Sequence, residues 1–214
     1  DGVGFSCPTV EHQCVDRIEP MDFVSAEPSI VRSIKQLDFL KIWFRLNAKK
    51  TSLAPSLVNF EPDRVEDEKP DLVYYRIEWS GAQPRIRINS QGSRLAQAYG
   101  KVGQANRGLY LDDYLGPDVA REVLPIYNEC IRRVRPIYTV SSIDDVQGHR
   151  VMYERLLLPF SDGTVVTDIV GSLKTISEDG RFVIQDLFRD GAPTFLICAV
   201  IERDSKPLSP TAGL

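Results

Sequence analysis

Three strand-like segments follow one another near the C-terminal end of this chain, and they restrict the fold more than any other feature: Ile137 to Ile143, His149 to Pro159 and Val165 to Ile176. Branched and aromatic residues dominate each segment, as strands require. The connections are Asp144 to Gly148 and then Ser161, Asp162 and Gly163, where an Asp-Gly pair between apolar runs favours a tight hairpin. Upstream, Leu72 to Trp79 and Arg85 to Ser90 repeat the pattern around the turn-forming stretch Ser80 to Pro84. These segments predict two antiparallel strands followed by three more.

Helical periodicity fills the intervals. From Pro28 to about Lys49, Ile30, Ile34, Leu37, Leu40, Ile42, Trp43, Phe44 and Leu46 recur at three- and four-residue steps, which predicts a long amphipathic helix with Pro28 in its first turn. Between Gly92 and Leu115 the glycines Gly100, Gly103 and Gly108 allow only short helices. A longer helix is expected over Pro117 to Val134, kinked at Pro125 and closed by Pro136. The domain organisation is then an extended arm over 1–27, a leading helix over 28–50, a core over 51–177 and a C-terminal extension over 178–214.

Composition narrows the classes of function. A formal net charge of -4 repels a phosphate backbone, so nucleic acid is not an expected partner. Arg132, Arg133 and Arg135 read as cations favoured at a helix C-terminus. The four cysteines, Cys7, Cys14, Cys130 and Cys198, lack C-x-x-C spacing, so no metal site is expected and a reducing, cytoplasmic setting is. Neither a membrane span nor a signal peptide is expected.

The order of elements is that of a PAS domain, and short segments sharpen the likeness. LKIWFRL (Leu40 to Leu46), LAPSLVNFEP (Leu53 to Pro62), Tyr99 with Gly100 and Gly108, and above all YERLLLPFSDG (Tyr153 to Gly163) resemble a branch of stand-alone bacterial PAS proteins found largely in alphaproteobacteria. The chain departs from that pattern between Arg87 and Gly92, between Gly100 and Gly108, and beyond Ser177. The resemblance implies a five-stranded antiparallel PAS sheet with helices on one face, and a sensory or protein-interaction role. Output would pass through self-association or a non-covalent signalling partner.

Familiar PAS cofactors find little support. Histidine-ligated haem needs an imidazole on or beside the long helix, whereas the two histidines are His12 and His149. A cysteinyl-adduct flavin needs a reactive cysteine in a polar motif, and Cys130 reads as a core residue. A diffusible small molecule remains, for which Arg87, Tyr99, Tyr153 and Arg155 offer donors to a carboxylate. The competing reading makes them cross-strand partners, since Tyr153, Arg155 and Leu157 share one strand face. Leu40, Trp43 and Phe44 are expected to form a homodimer interface on the leading helix. No catalytic residue is assigned: Asp112 with Asp113, Asp144 with Asp145, and Glu154 are the nearest candidates, and the two Asp pairs read as caps or turns. The alternatives are an enzyme on a cone-shaped α+β fold and a ligand-free scaffold.

Overall fold

The computed structural model describes residues 21–48, 52–63, 65–81, 83–100, 107–176, 182–188 and 191–203. Cys7, His12, Cys14, most of the expected arm and the chain from 204 onward lie outside the described residues. In chain order the elements are β1 (Val24–Ala26), α1 (Ile34–Asn47), α2 (Val65–Glu68), β2 (Leu72–Ser80), β3 (Gln83–Gln91), α3 (Ser93–Ala98), α4 (Leu111–Leu115), α5 (Pro117–Arg133), β4 (Ile137–Asp144), β5 (Arg150–Ser161), β6 (Val166–Ile176) and β7 (Thr194–Ile201).

Local chemistry accounts for the hairpins. Gly81, at φ +78°, supplies the left-handed residue that turns β2 into β3. Between β5 and β6, Asp162 Oδ1 accepts from the Thr164 and Val165 amides at 3.1 and 3.4 Å, closing the turn that the sequence predicts there. The β2–β3 hairpin then joins the later strands through β6, with Leu72 opposite Ser172 and Arg76 opposite Asp168.

The complete sheet corrects the expected five-stranded antiparallel PAS sheet. It has seven strands in the order β1-β7-β4-β5-β6-β2-β3 and is mixed, because β1 runs parallel to β7 with Val24 opposite Ala199. The physical reason lies at β4, whose residues Ile137, Tyr138, Thr139 and Val140 have no exposed surface. Left at an edge, such a strand would bury a row of unpaired backbone groups. β7 pairs with it from Ile137 opposite Val200 to Ser142 opposite Thr194, and β1 covers part of β7 in turn.

Nor are the helices confined to one face. One core lies between the sheet and α3, α4 and α5, and contains Tyr75, Ile88, Leu95, Val123, Ile126, Tyr127 and Leu157. A second lies under α1, where Phe39, Leu40 and Trp43 meet Leu156, Leu158, Phe160 and Val170. With both faces covered, β5 is buried along nearly its whole length, and its two sets of alternating residues belong to different cores.

The long N-terminal helix is likewise corrected. Pro28–Ile30 is a separate 3-10 turn, and α1 has 14 residues starting at Ile34. Ser33 imposes the break: its hydroxyl caps the Gln36 amide at 3.3 Å, while its own amide donates to Glu154 Oε2 at 3.1 Å. Pro125 lies inside α5 without ending it, and α5 closes at Val134 in the left-handed conformation.

Candidate functional site

Alternation along β5 determines which side chains meet. Tyr153, Arg155 and Leu157 point to the core under α5, whereas Glu154, Leu156 and Leu158 belong to the α1 face. Arg155 is 5% exposed, and its Nη1 is buried without a hydrogen-bond partner. It forms no ion pair with any described residue. Its guanidinium carbon sits 5.8 Å from the ring centres of both Tyr127 and Tyr153. Such cation–π contacts soften the burial of a charge without neutralising it.

The surroundings form a cage of phenols. Tyr75 and Tyr127 share a hydrogen bond of 2.9 Å between their hydroxyls. Gln91 Nε2 donates to Tyr114 Oη at 2.9 Å, and the Tyr99 ring stands 5.1 Å from that of Tyr114. Phe188 closes one side, its ring 5.0 Å from both Tyr99 and Tyr153. The space left is a cavity of about 20 Å³, bounded by Tyr75, Tyr99, Tyr114, Tyr127 and Arg155 and by no carboxylate among the described residues.

These phenols cannot act as the missing counter-charge. Burial raises Tyr75 and Tyr99 well above the ordinary tyrosine range. It pushes Tyr114 up to about 12, against the opposing hydrogen bond from Gln91. All three remain neutral at physiological pH, whereas arginine remains a cation. A cavity of 20 Å³ has room for one water. Water would accept a hydrogen bond but leave the charge unbalanced.

Two loop contacts hold the cover over this cage. Phe188 N donates to Ala98 O at 2.8 Å, and Asp186 N to Gln97 O at 3.1 Å, tying residues 186–188 to the end of α3. The same segment is anchored at Asp145, whose carboxylate accepts from Gln147 N and His149 N at 2.8 Å and from Val183 N at 2.9 Å. Burial pushes the Asp145 pKa up, but those donors outweigh it and hold the group down at about 2.

Of the four expected ligand contacts, Tyr99, Tyr153 and Arg155 come together and Arg87 does not. Arg87 lies on β3 with its Nε 2.6 Å from Glu78, beside Arg85, which pairs with Asp112 at 2.8 Å and with Asp113 at 3.2 Å. Asp144 is engaged by Arg150 at 2.6 Å. Tyr75, Gln91, Tyr114, Tyr127 and Phe188 complete the cage and were not singled out from sequence. Tyr75 and Tyr127 occupy ordinary core positions of a strand and a helix, and only their hydroxyls hint at more.

The expected interface residues are placed inside the chain's own fold. Leu40 and Trp43 have no exposed surface, and Trp43 Nε1 donates to Pro159 O at 2.7 Å. Phe44 is half-buried, with its ring 5.3 Å from that of Trp43. The apolar stripe is covered by the second sheet face, which is why periodicity alone suggested a partner. Cys130 is buried too, and burial pushes its thiol well up.

Among the described residues, no group of three His, Cys, Asp or Glu side chains is placed to hold a metal ion, and no helix is long and apolar enough to cross a membrane. No family model matches the chain, and no curated protein matches it as a relative.

Proposed function

We propose that this chain is a sensory or protein-interaction domain that takes up a small organic anion, with Arg155 as the anchor and the tyrosines as its walls, once Phe188 moves off Tyr99 and Tyr153 to enlarge a space that in the closed cage holds one water. The observation that carries this reading is a buried guanidinium with no acidic partner among the described residues. Proteins rarely keep a charge out of water uncompensated, and at binding sites such a charge awaits its complement. A carboxylate suits it, because a planar guanidinium offers paired N–H donors to two oxygens. Neutral tyrosines add hydroxyl donors and apolar ring faces, the usual lining of a small-molecule pocket.

Binding would be reported through movement of the cover, since residues 186–188 are bonded to α3 and Phe188 packs directly on Tyr99 and Tyr153. The test is calorimetric titration of the protein with mono- and dicarboxylic acids of up to six carbons, alongside native mass spectrometry of the purified protein for a retained acid. Arg155→Gln is expected to weaken binding by about 10- to 100-fold, the worth of one charged hydrogen bond or slightly more. Unchanged affinity in that variant, or no acid bound by the unmodified protein, overturns the proposal.

A further inference from the structure

Six buried side-chain polar atoms among the described residues have no hydrogen-bond partner, and four of them stand together. They are Thr139 Oγ1 and Ser141 Oγ on β4, and Tyr153 Oη and Arg155 Nη1 on β5. The ladder pairs Thr139 with Arg155 and Ser141 with Tyr153, so the four occupy two successive rungs, on one face, of two adjacent strands inside the sheet. Alternation turns both rungs toward α5, because Ile137, Ile143, Tyr153 and Leu157 belong to that core and Val140 to the other. Thr139, Ser141 and Tyr153 have no exposed surface. The remaining two atoms lie apart, on Gln36 of α1 and on Arg87 beside Glu78.

Such a concentration calls for a partner, because a buried hydroxyl without one forfeits the hydrogen bonds it makes in water. The residues of the row do not satisfy one another. Burial raises the Tyr153 pKa, and the Arg155 charge and the Ser141 hydroxyl oppose the rise, yet neither hydroxyl completes a hydrogen bond. Nor does the small cavity of the cage serve them: Arg155 lines it, but Thr139, Ser141 and Tyr153 do not. What packs on Tyr153 is the ring of Phe188, 5.0 Å away. Withdrawal of Phe188, which uptake of an acid requires, removes the apolar cover from Tyr153, whose ring centre is 5.8 Å from the Arg155 guanidinium.

Resting on the anion-binding reading above, we infer that the ligand is a small hydroxy acid, its carboxylate held by Arg155 and Thr139 and its hydroxyl by Tyr153 and Ser141. The two rungs differ in chemistry as those two groups do. A carboxylate only accepts, and the rung of Thr139 and Arg155 offers it a hydroxyl proton and a guanidinium N–H. A hydroxyl both donates and accepts, so one ligand oxygen can take the Tyr153 proton and give its own to Ser141. Successive rungs on one face lie about 7 Å apart along a strand, a span that a chain of three or four carbons bridges with its end groups. An unsubstituted acid answers the first rung and leaves the second without a partner, which is how a buried polar site rejects an analogue that lacks the group it reads.

The test compares lactate with propionate, and 3-hydroxybutyrate and 4-hydroxybutyrate with butyrate, in calorimetric titrations of the full chain. At least one hydroxy acid is expected to bind about tenfold or more tightly than its unsubstituted counterpart, the worth of one hydrogen bond to an otherwise orphaned group. Tyr153→Phe and Ser141→Ala, which remove little more than an oxygen, should each abolish that preference and leave the affinity for the unsubstituted acid unchanged. Thr139→Val and Arg155→Gln should weaken both kinds of acid alike. Equal affinities for the two kinds in the unmodified protein overturn the inference, as does a Tyr153→Phe variant that keeps the preference or loses both acids equally. In each of these cases binding that still depends on Arg155 leaves the anion-binding proposal standing. Hydroxy-acid binding indifferent to Arg155 overturns both.

Discussion

Replacing Arg155 by Met separates a binding role from a structural one, because the two predict opposite changes in stability. An uncompensated buried charge costs about 3–5 kcal/mol relative to its paired state. Against this stand two cation–π contacts near the limit of their range, together worth about 1–2 kcal/mol. One water in the small cavity would add about 1 kcal/mol as a hydrogen bond. Methionine refills much of the volume with a flexible apolar chain. The ligand-free variant should therefore gain about 1–2 kcal/mol, which for a protein of this size is a rise of about 2–8 °C in Tm. Urea titration followed by the fluorescence of buried Trp43 measures this directly: the midpoint should rise with the slope unchanged. Saturating acid should stabilise the unmodified protein and leave the variant unaffected. A loss of 1 kcal/mol or more in Arg155→Met would refute the reasoning, since Arg155 would then be a satisfied part of the core.

Two further perturbations follow from the structure. Trp43→Ala should cost about 3–5 kcal/mol through the cavity and about 1 kcal/mol more through the Pro159 carbonyl left without its donor. Urea denaturation would show this, and a polar substitution at Trp43 that merely yields a stable folded monomer would contradict the burial described above. Asp145 gives a pH signature. Its folded pKa of about 2 lies below the ordinary 3.8, so its stabilising contribution is full above about pH 4 and disappears as pH falls toward 2. The gap in urea midpoint between the unmodified protein and Asp145→Asn should accordingly close over that interval, with faster amide exchange at Val183 in the variant. A gap that stays constant down to pH 2 would remove the carboxylate from the anchoring of the cover.

Local pattern determined a good deal of this protein. Strand content over 72–80, 83–91, 137–144, 150–161 and 166–176, the Asp162–Gly163 turn and the buried stripe of α1 all follow from side-chain alternation, turn chemistry and helical periodicity. Alternation also put Tyr153 and Arg155 on one face of β5, because a period of two leaves no other choice. What it could not supply was the partner of each surface. The Trp43 stripe announces that something covers it, and only the folded chain shows that the cover is its own sheet. The same holds for the sheet's extent: the apolar run Phe195 to Ile201 suits a strand or a packed tail, and only the fold shows that it covers β4 as β7 and is itself paired by β1, 168 or more residues away in the chain. Arg87 and Arg155 look alike as strand arginines, yet one meets Glu78 near the surface and the other meets neutral phenols in the interior. Whether a charge finds its counter-charge depends on contacts between distant segments. Sequence therefore marked both arginines as candidate anion contacts, and tertiary structure alone decided that one pairs with Glu78 while the other lies buried with no ion pair among the described residues.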